Sequence, residues 1–133
     1  MEKNVRIATR ILLYAVSAFL LVVGSDKAFH LEKITDWEAY VGPLAATVFP
    51  FSAAETIVRI QGCIEILYAL LLIFTGWKRT ALAFFMLSMV CVIIDLAYFR
   101  YFIVVTRDLV LLAVAAALMF LLTATSKQGT HAS

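Results

Sequence analysis

Four long apolar runs separated by polar stretches organise the chain, at residues 7–24, 53–74, 80–101 and 106–125. Each is close to the roughly 20 residues that a helix needs to cross about 30 Å of hydrocarbon. The second run opens on Ser52-Ala53-Ala54-Glu55, a capping box in which the Ser52 hydroxyl accepts from the first turn and the Glu55 carboxylate reaches back. Gly76-Trp77-Lys78-Arg79 makes a short basic turn, and no charge follows it until Asp95. A helix satisfies its own backbone hydrogen bonds in lipid, and short connections after the second and third runs imply antiparallel neighbours. The pattern predicts an all-α integral membrane protein, an up-down bundle of four transmembrane helices forming a single domain over 1–133.

The connection 25–51 is longer and has a pattern of its own. Thr35-Asp36-Trp37-Glu38 is a second capping box, after which Trp37, Tyr40, Val41 and Leu44 fall roughly on one helical face. A short interfacial helix ending near Gly42-Pro43 is expected, lying over the outer mouth of the bundle with Trp37 and Tyr40 at headgroup depth.

Composition agrees with this reading: 64% of residues are hydrophobic, 15% are charged and the net charge is +2, against about half and about a quarter for soluble domains. Such a chain is neither disordered nor a nucleic-acid binder, and its two cysteines make no disulfide scaffold. Lys3, Arg6 and Arg10 before the first run suggest a signal peptide, but Val22-Val23-Gly24-Ser25 is a poor cleavage site, so a retained helix is expected. Basic residues divide almost evenly. Lys3, Arg6, Arg10, Lys78, Arg79 and Lys127 fall on the side of the termini, and Lys27, Lys33, Arg59, Arg100 and Arg107 on the other. Arg10 and Lys78-Arg79 lie at span ends with no acid beside them, which favours cytoplasmic termini.

Charges within or at the ends of spans are expensive, so their placement is the most informative feature after hydropathy. Asp26 and Lys27 end the first span, with His30 a turn beyond. Arg59, Gln61 and Glu65 open the second, Asp95 and Arg100 end the third, and Arg107 and Asp108 open the fourth. In antiparallel helices all of these lie toward the outer end. Gln61, Gly62 and Glu65 share one flank of their helix, and Ser88, Cys91, Asp95 and Tyr98 share one face of theirs, which should meet protein instead of lipid. At about 1.5 Å per residue, Glu65 is about 12 Å below Ile57 and Asp95 about 9 Å below Tyr101. Comparable depths predict a pocket floored by Glu65 and Asp95 and rimmed by Asp26, Lys27, Arg59, Arg107 and Asp108. The competing reading is a set of structural ion pairs, for which Glu55 and Arg59 are spaced i, i+4 in the favourable order.

Other positions point away from chemistry. Cys63 and Cys91 read as buried core thiols. His30 and His131 make no metal site, and no cluster has ligand spacing. Ala15, Ala18 and Ser25, with Ala113, Ala117 and Ala124, read as close-packing faces. No phosphate-binding glycine loop or nucleophile motif is present.

Several short motifs occur in a characteristic order: Gly24-Ser25-Asp26-Lys27, then Gly62-Cys63-Ile64-Glu65-Ile66-Leu67, then Leu71-Leu72-Ile73-Phe74-Thr75-Gly76 with Arg79-Thr80-Ala81-Leu82-Ala83, and Arg107-Asp108-Leu109. In them the chain resembles the DoxX family of small four-span membrane proteins over most of its length. The resemblance implies a place near membrane redox chemistry, since the founding members are subunits of a thiosulfate:quinone oxidoreductase and others accompany oxidative-stress systems. Asp26, Lys27, Gly62, Glu65, Arg107 and Asp108 are the positions it carries over. The outer connection, with Pro43 and Pro50, is closer to the branch that serves methylamine dehydrogenase maturation. The expected function is a membrane subunit of an oxidoreductase system, catalytic or accessory, that binds a quinone or similar small molecule in the outer pocket. A redox partner protein or further copies of the chain would share the bilayer with it. The alternatives are a small proton- or cation-coupled transporter using Glu65, and an assembly subunit whose charges are structural only.

Overall fold

A computed structural model describes residues 2–30, 37, 41–48, 50, 53–74, 76–98 and 102–130. Four long helices, α1 (Glu2–Phe29), α3 (Ala54–Phe74), α4 (Lys78–Tyr98) and α5 (Phe102–Thr130), are joined by short links except where α2 (Pro43–Val48) interrupts the first connection. Each long helix contains a stretch long and apolar enough to cross a membrane. They form an antiparallel ring in which α1 and α4 each pack against both α3 and α5. Both chain ends therefore lie at one end of the bundle, the termini end, and the first connection crosses the other, the mouth end. Only a third or less of each membrane-spanning stretch is buried inside the bundle. The apolar outer surface that remains, with Ile11, Val22, Leu67, Phe84, Leu87 and Phe120 among its exposed side chains, is suited to lipid and identifies an integral membrane protein.

The core fills the middle of the bundle and its termini half. Leu13, Val16, Leu20, Leu72, Leu82, Phe85 and Leu118 interdigitate around the small residues Ala69, Ala81 and Ala115. Tyr68 meets Phe85 edge to face, with centroids 5.8 Å apart. Arg79 joins two helices at the termini end by donating from Nη2 to the Leu122 carbonyl at 2.9 Å. The alanine faces expected to pack do not: Ala15, Ala18, Ala113 and Ala117 are exposed. In their place Gly24, Ala28 and Gly62 make the close approach of α1 to α3, because those positions face the ring interior.

One boundary differs from the sequence pattern in a way that matters. The first run was expected to stop at residue 24, yet α1 continues to Phe29, carrying Lys27 inside the bundle. His30 ends it in the left-handed region at φ 49°, its N–H donating to the Asp26 carbonyl at 2.8 Å, in the manner of a helix C-cap. The short helix described in the first connection, α2, begins at Pro43, and the stretch 35–42, where the sequence pattern places a helix, is described only at Trp37, Val41 and Gly42. Proline suits the first turn of a helix, where its missing N–H costs nothing, and the Gly42 carbonyl accepts from the Ala46 N–H at 3.1 Å. The expected capping boxes at Thr35 and Ser52, and Tyr40, Arg100 and His131, lie wholly or partly outside the described residues.

Candidate functional site

Glu65 is the centre of the polar cluster at the mouth end. Gly62 sits one turn before it on the same face of α3, so close to α1 that a Cβ there would lie 2.6 Å from the Gly24 carbonyl oxygen. This approach sets Lys27 against Glu65, Nζ to Oε1 at 2.6 Å, with the two side chains 6% and 11% exposed. Gln61, one turn earlier, donates from Nε2 to the same oxygen at 3.2 Å. Glu65 Oε2 is buried and has no protein partner. One oxygen thus holds two donors, while the other keeps its hydrogen-bonding capacity for something else.

The remaining polar groups come from α5 and the first connection. Arg107 pairs with its neighbour Asp108, Nη2 to Oδ1 at 2.8 Å and Nε to Oδ1 at 2.9 Å; the arginine is 43% exposed and the aspartate 5%. Trp37 lies across the mouth. Its ring is 4.9 Å from Lys27 Nζ and 5.7 Å from the Arg107 guanidinium carbon, and its indole N–H donates to Asp26 Oδ2. A ring with two cations near its centroid and an N–H on a carboxylate combine both polar uses of tryptophan. Trp37 is therefore part of the cluster. Sequence reading missed this role, although a tryptophan in a connection rich in neighbouring charges was the available signal.

Two spaces adjoin Glu65. The inner one, about 50 Å³, is bounded by Lys27, Trp37, Gln61, Glu65, Arg107 and Asp108 at its polar side and by residues such as Leu20, Met89 and Leu111 elsewhere. The other is a groove of about 200 Å³ between α3 and α4, lined by Ile57, Ile60, Ile64, Tyr68, Phe85 and Val92, roofed by Ala45, with Gln61 and Glu65 at its back. Among neighbouring helices of the ring, α3 and α4 are the most loosely packed, and the half-exposed Ile60 and Ile64 line the groove beside the lipid-facing surface.

The single pocket expected from the sequence is not formed as drawn. Asp26, Lys27, Gln61, Glu65, Arg107 and Asp108 come together; Asp95 and Arg59 do not join them. Asp95 is buried on another face of α4, where its Oδ2 accepts from the Ala45 N–H at 3.3 Å and holds α2 over the groove. Arg59 points outward to Glu55, Nη2 to Oε1 at 2.6 Å, with His30 Nε2 3.9 Å from the same oxygen. That is the i, i+4 pair anticipated by the structural alternative. The expected inward face of α4 also fails in part, since Cys91 and Tyr98 are exposed, and Ser88 satisfies itself on the Phe84 and Phe85 carbonyls. Cys63 is exposed like Cys91, so neither thiol belongs to the core. Each lies on a helix face turned away from the ring interior, a phase that hydropathy does not resolve when every face is apolar.

No family model, curated protein or solved structure matches the chain.

Proposed function

We propose that the chain is a membrane subunit of an oxidoreductase system that binds a quinone-type ring in the groove between α3 and α4, with a ring carbonyl set against Gln61 and Glu65. The observation that carries this reading is the position of Glu65 at the polar back of a largely apolar groove bordering the lipid-facing surface. Size separates the two spaces. A cavity of about 150 Å³ takes benzene and a water needs about 10–15 Å³, so the groove of about 200 Å³ accepts one ring, whereas the inner cavity of about 50 Å³ accepts only waters. Ligand sites of this kind pair apolar walls with a few convergent polar groups. The Gln61 amide donates to an oxygen, and the glutamate accepts from a hydroxyl when ionised and donates to a carbonyl when protonated. The resemblance to DoxX proteins points toward the same chemistry. Electrons would come from a partner protein, because the polar groups here bind and move protons only.

Protein purified in mild detergent should carry an extractable quinone or bind a short-tailed quinone analogue at micromolar concentration. Glu65→Gln and Gln61→Ala should each weaken that binding about tenfold, the loss of one hydrogen bond in a dry site. Absence of binding by the folded wild-type protein rejects the proposal. One observation favours the structural alternative, the buried Lys27–Glu65 pair across α1 and α3. On that reading Glu65→Gln lowers thermal stability and leaves redox activity of the membrane system unchanged.

A further inference from the structure

The inner cavity cannot hold the ring, yet it shares walls with the groove that can. Gln61, Glu65, Met89 and Val92 line both spaces, and the two polar members of that partition are one hydrogen-bonded pair. Glu65 brings a buried carboxylate oxygen without a protein partner. Leaving such an acceptor dry costs about 1–3 kcal/mol, and a cavity that is polar on one side and roomy enough for a few waters removes that cost. Toward the mouth end the cavity is bounded by Trp37, Arg107 and Asp108, of which Arg107 is 43% exposed. Toward the termini end lie the layers around Leu72, Leu82, Phe85 and Leu118, in which the buried polar side chains among the described residues are the isolated hydroxyls of Ser17 and Thr9, too few to carry a chain of waters.

We propose that this cavity is a built water site through which Glu65 exchanges protons with the aqueous phase at the mouth end of the bundle, and with that phase alone. The exchange moves no electrons: a hydronium in the cavity gives its proton to the Glu65 carboxylate, leaving water and the neutral acid, and the reverse step returns it. Among the described residues, the charged groups around that proton are Lys27 from α1, Arg107 and Asp108 from α5, and Asp26 acting through Trp37. The described lining of α4, comprising Met89, Val92 and Leu96, is apolar. Lys27 and Gln61 are positioning residues that hold Oε1 and leave Oε2 as the carboxylate oxygen without a protein partner. Where the groove binds a quinone-type ring, the consequence is sidedness. Protons taken up or released by that ring pass to the mouth side. The water link itself does not depend on the ring.

The test uses full-length protein in sealed vesicles, its orientation established by protease access to the termini. Dicyclohexylcarbodiimide enters from lipid and adds only to a protonated carboxyl, and peptide mass spectrometry with a Glu65→Gln control assigns the adduct. With the pH of the two sides set independently, labelling of Glu65 should rise several-fold with acidification of the mouth side and ignore the termini side. Labelling that follows the termini side, or neither, overturns the proposal. Leu111→Phe and Val104→Leu, which fill the inner cavity and not the groove, should slow the response to mouth-side pH several-fold; an unchanged response in a folded variant counts against the water link. Protection by a quinone analogue is read separately. Mouth-side dependence without protection sustains the water link and rejects the ring, whereas protection with labelling blind to mouth-side pH does the reverse.

Discussion

Gly24 and Gly62 are the points at which α1 and α3 touch: a Cβ on Gly24 would lie 2.8 Å from the Gly62 carbonyl oxygen, and one on Gly62 would lie 2.6 Å from the Gly24 carbonyl oxygen and the Ala28 nitrogen. Small residues let membrane helices approach by van der Waals packing where no hydrophobic drive between them exists. Because the obstructing atoms are backbone, Gly62→Ala must move a helix. The expected loss is about 1–3 kcal/mol, read as a lower unfolding temperature in detergent. An unchanged melting curve would show that the contact is not tight.

Lys27 and Glu65 should behave as a unit. Lys27→Met leaves a buried carboxylate without its cation and should cost about 3–5 kcal/mol. Adding Glu65→Gln to Lys27→Met removes that uncompensated charge and should recover most of the loss. A double-mutant cycle measured by denaturant unfolding in detergent checks this. If the two single losses simply add, the pair contributes no coupling.

Asp95 holds the roof of the groove through the Ala45 N–H, and a Cβ on Gly42 would overlap the Asp95 carboxyl group. Asp95→Ala should therefore free α2 at a cost of about 1 kcal/mol, the usual value of a side chain that caps a first turn. Asp95→Asn, which keeps an acceptor, should cost less. Amide hydrogen exchange in residues 43–48 is the direct measurement, and equal protection in the wild type and Asp95→Ala would remove the role.

Cys63 and Cys91 face outward from spanning helices. Both should react with a membrane-partitioning maleimide in intact vesicles and resist a charged, impermeant one, because the thiols meet lipid instead of water. Labelling of either by the impermeant reagent at full rate would place that helix face in contact with the aqueous phase.

The architecture was legible from residue order alone. Four apolar runs of spanning length with short links force helices, antiparallel packing and a lipid-facing exterior, since lipid leaves the backbone no other way to satisfy its hydrogen bonds. The charged minority was legible as a cluster at one end, and Lys27, Gln61, Glu65, Arg107 and Asp108 do meet there. Helical phase alone did not decide which polar residues converge. Glu65 and Asp95 have comparable estimated depths and opposite fates, because depth follows from counting residues, whereas the facing partner follows from how each helix is rotated in the ring. That rotation is set by contacts distant in sequence: Gly24 on Gly62, Lys27 on Glu65, Ala45 over Asp95. Trp37 shows the same limit, its type and position being plain in the chain while its place beside two cations exists only once α1, α5 and the first connection are assembled.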